Sequence, residues 1–152
     1  MSQDNGGIDL ESSLGYLLKE ASSTLRVAME EVLRPLGMSV THYSCLELLA
    51  QRPGLSNSEL ARGAFVTRQS MNVLLQSLER DGYVTRQAEA HVGKALPVQL
   101  TSRGRRSLEK ASAAVRTVEL RMLAGVTETD QSSAFRILRS IVDSLRERDS
   151  GA

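Results

Sequence analysis

Aromatic side chains make up only 3% of this 152-residue chain, and tryptophan is absent. A core must therefore be built from Leu, Val, Ala, Ile and Met. A single cysteine, Cys45, excludes an intramolecular disulfide. No run approaches the ~20 apolar residues that a membrane-spanning helix needs. Met1 to Asp9 is polar and lacks the apolar stretch of a secretory signal, so a cytoplasmic protein is expected. There is no Gly-rich phosphate loop, no Ser-His-Asp order in a supporting context and no recognisable carboxylate pair, so neither an enzyme nor a cofactor is expected. His42 and His91, with one cysteine, are too few and too separated for a metal site.

Net charge is only +1, a poor match to a polyanion, but its distribution is uneven. Pro53 to Arg106 carries eight basic and four acidic residues, a net +4; the remainder carries eleven and fourteen, a net −3. A basic centre suits phosphate contact, and a solvated surface could give the same imbalance.

The chain offers long amphipathic stretches around a compact middle. Leu14, Leu18, Ala21, Leu25, Ala28 and Val32 recur at steps of four and three, which predicts a helix from Asp9 to Leu33 ended by Pro35 and Gly37. Ser39 can cap a second helix over Val40 to Gln51, stopped by Arg52-Pro53-Gly54. After the middle, Leu108, Ala111, Val115, Val118 and Met122 predict a helix from Ser102 to Leu123, broken at Gly125. Phe135, Leu138, Val142 and Leu145 predict a last helix, capped by Thr127 and reaching Arg148. Narrow apolar stripes at both ends suit helix–helix packing, and a self-complementary bundle makes a two-fold dimer.

The middle reads helix, turn, helix, strand, loop, strand. Ser56-x-x-Glu59 is a capping box opening a short helix to Gly63. Thr67 caps a helix to Asp81, and Gly82 supplies its left-handed closing residue. Tyr83 to Gln87 and Leu96 to Thr101 alternate as strands, with Pro97 favouring a short or edge strand. A helix-turn-helix with a trailing hairpin is a winged helix. The expected fold is therefore mainly α with a small β-hairpin: a winged helix-turn-helix over 38–101, helical dimerisation segments over 9–36 and 102–148, and a disordered N-terminus over 1–8.

On a helical wheel, Met71, Leu74, Leu75 and Leu78 share one face of the Thr67 to Asp81 helix. Gln69, Asn72, Val73, Gln76 and Arg80 share the other, with Arg68 and Ser70 near the N-terminal end. Amides pair bidentately with adenine, Arg68 could reach guanine or phosphate, and Val73 could pack on a thymine methyl. The same face could be an ordinary solvated surface; the capped helix before it and the hairpin after it favour double-stranded DNA. Between the strands, His91 and Lys94 could enter a minor groove or touch phosphate, or belong to a solvated turn. His42 and Tyr43, with Tyr16 and Arg26, could line a cleft for an anionic aromatic ligand, or simply pack at a helix start. Cys45 falls in step with Leu48 and Leu49, which suits a buried core residue better than a thiol sensor.

Taken in order, Leu36-Gly-Met-Ser39, Pro53-Gly-Leu-Ser-x-x-Glu-Leu-Ala61, Val66-Thr67, Leu78-Glu-Arg-Asp-Gly-Tyr-Val84 and Val98-Gln-Leu-Thr-x-x-Gly104 resemble the MarR family of bacterial transcriptional regulators, over nearly the whole chain. The resemblance implies a homodimer binding a palindromic operator, most simply a repressor. It places the Thr67 to Asp81 helix in the major groove and the wing, with His91 and Lys94, in a flanking minor groove; the wheel then makes Thr67, Arg68, Gln69, Ser70, Asn72, Val73 and Gln76 the expected DNA-contact residues. It also implies a small-molecule or redox signal that changes the spacing of the two reading helices. Two departures stand out. The family wing commonly carries Asp-Arg-Arg where this chain has Val92-Gly93-Lys94, and the reading helix often carries Arg where Val73 and Ser77 stand. Fewer cations mean fewer phosphate contacts and a flatter salt dependence. A winged-helix module that binds protein is the alternative from another class.

Overall fold

The computed structural model describes residues 6–86 and 97–147. The chain divides after Arg116 into two compact units, described in turn. The first opens with Asp9, whose carboxylate accepts from the Glu11 N–H and the Ser12 hydroxyl. This local turn holds the chain out of helix, so α1 starts with the apolar stripe at Leu14 rather than at the predicted Asp9. It spans Leu14–Leu33, with the Ser13 hydroxyl accepting from the Tyr16 N–H at its start. A single 3-10 turn over Arg34–Leu36 follows, and Gly37 closes it at φ +69°.

Ser39 caps α2, Val40–Gln51, within the predicted bounds. Ser56 opens α3, Asn57–Gly63, with both halves of the capping box formed: Ser56 Oγ accepts from the Glu59 N–H, and the Glu59 carboxylate accepts from the Ser56 N–H. Thr67 caps α4, Arg68–Arg80. Two short strands follow, β1 over Val84–Arg86 and β2 over Val98–Leu100, paired antiparallel with Val84 opposite Leu100 and Arg86 opposite Val98. The period-two alternation buries Val84, Val98 and Leu100 and exposes Thr85 and Gln99. Pro97 stands immediately before β2, where its missing N–H costs no ladder bond. The predicted strand ends at Gln87 and Leu96 lie outside the described residues.

From β2 the chain enters α5, Ser102–Leu123, through Thr101. The Thr101 hydroxyl donates to the Gly82 carbonyl at 2.6 Å and accepts from the Gly104 N–H at 3.1 Å, while the Thr101 N–H donates to the Tyr83 carbonyl at 3.1 Å. One residue thus ties the end of α4, the start of β1 and the start of α5. Gly104 is buried against Tyr83, which explains in physical terms why a glycine follows three residues after Thr101. A single core joins Leu33, Cys45, Leu46, Leu49, Leu60, Met71, Leu75, Leu78, Val84, Val98, Leu108, Ala111 and Val115. Each Leu, Met or Val of this set taken from water contributes ~1.5–3 kcal/mol before ordering costs. The Ser112 hydroxyl donates to the Glu47 carboxylate at 2.9 Å, adding a polar link between α5 and α2.

In the first unit the N-terminal half of α1 leaves Leu14, Tyr16 and Leu17 exposed. The second unit, from Thr117 onward, holds the end of α5 and α6, Glu128–Glu147. The Thr127 hydroxyl accepts from the Asp130 N–H, as its position before the helix predicts. No residue of α6 is buried; Phe135 and Leu145 are 69% and 71% exposed on a helix whose polar residues occupy the other side.

Candidate nucleic-acid interface

The wheel assigned to α4 matches the burial. Met71, Leu75 and Leu78 are fully buried and Leu74 is partly so. Arg68, Gln69, Ser70, Asn72, Val73 and Gln76 are all exposed, with Val73 at 64%. Thr67, the cap, is exposed as well. Its hydroxyl accepts from the Ser70 N–H at 3.0 Å and lies 2.9 Å from Ser70 Oγ, so the first turn of α4 is internally fixed. Farther along, Arg80 reaches Ser77 and Asp81, and Arg86 pairs with Glu79 at 3.5 Å. Those two arginines are engaged locally, while Arg68 stands at the amino end of α4, where helix N–H groups and a cation together favour an anion.

One contact lay beyond reach of the sequence. Asn57, in the first turn of α3, donates from Nδ2 to Asn72 Oδ1 at 2.6 Å. Fifteen residues separate them, so no local pattern announces the pair. The contact bridges the two helices of the helix-turn-helix and fixes the Asn72 side chain. Whichever way the two amides are turned, one polar end of Asn72 is consumed. In this rotamer Asn72 offers a single polar end outward, while the Gln69 and Gln76 amides are exposed. Asn57 Oδ1 is buried without a partner of its own.

His91 and Lys94 of the wing lie outside the described residues. The four residues considered for a ligand cleft fall in different surroundings. Tyr16 lines an open groove with Leu10, Leu14 and Leu17. Arg26 pairs with Glu30 at 3.1 Å, about 15 Å along α1 from Tyr16 at the usual helical rise. Tyr43 is half-buried against the core. His42 meets Tyr83 edge-on, ring centroids 5.2 Å apart, with its Nε2 buried and without a hydrogen-bond partner. Burial pushes the His42 imidazole below its ordinary value of 6.5, with Asp81 pulling the other way.

Tyr83 leads to a second feature that the sequence reading missed. The Arg103 guanidinium lies 4.8 Å from the Tyr83 ring centroid and donates to the Tyr83 hydroxyl at 3.4 Å. Beside them is a cleft of about 310 Å³ lined by Leu36, Tyr83, Arg103, Arg106, Ser107 and Lys110. Three cations and one aromatic wall make it suited to a small anionic ligand. The available signal was the Arg103 to Lys110 run of α5, where residues three and four apart share one face.

Cys45 is fully buried, and burial pushes its thiol up to about 12, so the thiolate that oxidants attack is scarce. Among the described residues no cluster of His, Cys, Asp and Glu could hold a metal ion, and no helix is long and apolar enough to cross a membrane.

Comparison with known proteins follows the same lines. The HTH-type transcriptional repressor Rv2887 of Mycobacterium tuberculosis is 42% identical to this chain over 135 residues, covering 89% of this chain and 97% of the relative. The crystal structure of Rv2887 with salicylic acid matches with a TM-score of 0.71 at 42% identity, covering 86% of this chain and 96% of that one. The crystal structure of Rv2887 with DNA matches with a TM-score of 0.69 at 40% identity, covering 86% and 98%. Residues 36–95, beginning at the last residue of the 3-10 turn, match the MarR family. With the Thr67-capped α4, the hairpin and the Thr101–Gly104 junction in place, and a 42% identical relative covering 89% of the chain, the chain belongs to the MarR family of transcriptional regulators.

Proposed function

We propose that this protein is a homodimeric repressor that binds a palindromic DNA operator and releases it when a small aromatic carboxylate binds. It acts as a regulator in the cytoplasm, not as an enzyme. The observation that carries the reading is α4: one face is sealed into the core, while the exposed face from Arg68 to Gln76 holds a cation, amides, a hydroxyl and one apolar residue. That set serves phosphate, base-edge and methyl contacts together. Rv2887, solved both with DNA and with salicylic acid, supports the reading. The exposed apolar residues of α1 and α6 support a dimer, since a second copy would cover them.

The effector is assigned to the cleft of Tyr83, Arg103, Arg106 and Lys110 beside His42, in preference to Tyr16 and Arg26. A carboxylate there would face three cations, with the Tyr83 ring as an apolar wall. The test uses fluorescence anisotropy on a duplex selected by the protein from a random pool. Arg68→Ala with Gln69→Ala should weaken binding, and Arg68→Ala alone, which removes one phosphate contact from each protomer, should reduce the slope of log K against log salt by about 1.8. Added salicylate should release the duplex from wild type and not from Arg103→Ala with Lys110→Ala. Unchanged affinity in the α4 variants would refute the reading helix.

A further inference from the structure

Three helical segments of this chain close with the same pair of hydrogen bonds. After the 3-10 turn, Gly37 N–H donates to the Arg34 carbonyl at 2.9 Å and Met38 N–H to the Leu33 carbonyl at 3.2 Å. After α4, Gly82 N–H donates to the Glu79 carbonyl at 3.2 Å and Tyr83 N–H to the Leu78 carbonyl at 2.9 Å. After α3, Phe65 N–H donates to the Arg62 carbonyl at 3.3 Å and Val66 N–H to the Ala61 carbonyl at 3.0 Å. This closure requires one left-handed residue, and glycine is the residue that takes it without steric conflict. The φ values are +69° at Gly37, +83° at Gly82 and +60° at Phe65. Twice the chain uses glycine, and once, in the turn that leads into the reading helix, it uses phenylalanine.

Phe65 is the only non-glycine residue with positive φ among the described residues. A bulky side chain there is a strained choice that the surrounding structure must justify. Packing within the chain does not justify it, because Phe65 is 85% exposed, more than any other large hydrophobic residue described. Its place in the fold points elsewhere. It precedes by two residues the Thr67 cap of α4, at the helix end that presents Arg68, Gln69 and Ser70. That end, with the Arg68 and Gln69 N–H groups that the Thr67 cap leaves over and the Arg68 cation, is where a phosphate backbone would approach.

We infer that Phe65 is a DNA-contact residue whose ring lies on the deoxyribose of the operator backbone beside the phosphate met by Arg68 and the amino end of α4. This rests on the DNA-binding reading above and adds a residue to it. The contact is apolar and recognises the sugar, so it positions the protein on the duplex without selecting bases. Conformational strain in the free protein is the cost of holding the ring in place.

The strain gives the proposal a test with two readouts of opposite sign. The probe is a duplex selected by the wild-type protein from a random pool, and the variants are Phe65→Gly, Phe65→Leu and Arg68→Ala. Phe65→Gly should raise the melting temperature by about 2–4 °C, since relief of the left-handed conflict outweighs the extra freedom glycine gives the unfolded chain. It should also weaken the selected duplex and unrelated duplexes alike, by about tenfold. Because the ring is uncharged, the salt slope should stay at the wild-type value, whereas Arg68→Ala should flatten it. Phe65→Leu, which keeps apolar surface, should recover part of the affinity. A Phe65→Gly protein that melts higher and binds as tightly as wild type would remove Phe65 from the interface, while weakening by Arg68→Ala would leave the DNA reading standing. A lower melting temperature would make Phe65 part of the fold instead. If the wild type selects no duplex, the DNA reading falls and this contact with it.

Discussion

Replacing Gly104 by alanine would place a Cβ 2.2 Å from the Tyr83 carbonyl oxygen, 3.2 Å from its carbon and 3.3 Å from a Leu100 methyl. Real Cβ atoms essentially never come within 3.0 Å, so α5 and the Tyr83 backbone must part by about 0.8 Å or more. The clash cannot be relieved by turning a side chain, because the obstacle is main chain. The Tyr83 carbonyl also accepts the Thr101 N–H at 3.1 Å, so its displacement strains the junction of β1 with α5. Overpacking of this kind costs ~1–3 kcal/mol, and loss of the backbone hydrogen bond adds ~1 kcal/mol. Against this, alanine gains up to ~1 kcal/mol over glycine from helix propensity. The expected net effect is a destabilisation of about 1–3 kcal/mol. With a urea slope of ~1–3 kcal/mol/M, the unfolding midpoint should fall by about 1 M. Gly15→Ala is the matched control, since at that helical position the added methyl meets only Ser13 Oγ, at 3.8 Å. It should leave the midpoint unchanged or raise it. If Gly104→Ala is as stable as the wild type, or more so, the close approach of α5 to Tyr83 is wrong.

Three further outcomes are expected. Ser56→Ala removes one half of the capping box and should cost about 1 kcal/mol in denaturant unfolding, with Glu59→Ala smaller because Ser56 still caps the turn. His42 has a folded-state value below its unfolded value of 6.5. Its contribution to stability is complete above pH 6.5 and is lost as the pH falls towards the folded value, because only the unfolded chain takes up the proton there. A urea midpoint that declines below pH 6.5 in the wild type and stays flatter in His42→Gln over the same window checks this. The Cys45 thiol, pushed up to about 12, should react with a thiol reagent only as the protein unfolds, and Cys45→Ser should leave any response to peroxide intact.

The residues that cap and close helices were legible because their signals are local. Ser39, Ser56 with Glu59, Thr67, Gly82 and Thr127 each act within four residues of their own position, and each falls where its pattern places it. The buried side of α4 was legible for the same reason, since one turn of helix sets which residues share a face. The start of α1 was misread at Asp9 although the apolar stripe begins only at Leu14; the Asp9 side chain forms a turn that competes with helix, and Ser13 caps the true start. The tie between Asn57 and Asn72, the meeting of His42 with Tyr83 and the cation-lined cleft depend on tertiary approach across gaps of fifteen residues or more. Phe65 escaped notice because its left-handed backbone has no residue-type signal; the usual marker, glycine, is absent there.

The uncovered apolar residues of α1 and α6 bear on how the protein responds to its own abundance. If a second copy covers Leu14, Leu17, Phe135 and Leu145, part of the folding free energy is supplied by association, and stability becomes a function of protein concentration. The melting temperature should then rise on concentrating the sample and drop on dilution. In a cell the same dependence turns the number of copies into a variable: below some threshold the protein is scarce, less stable and unable to occupy both halves of a symmetric site. A regulator built this way would switch its target with the square of its own expression level rather than in proportion to it.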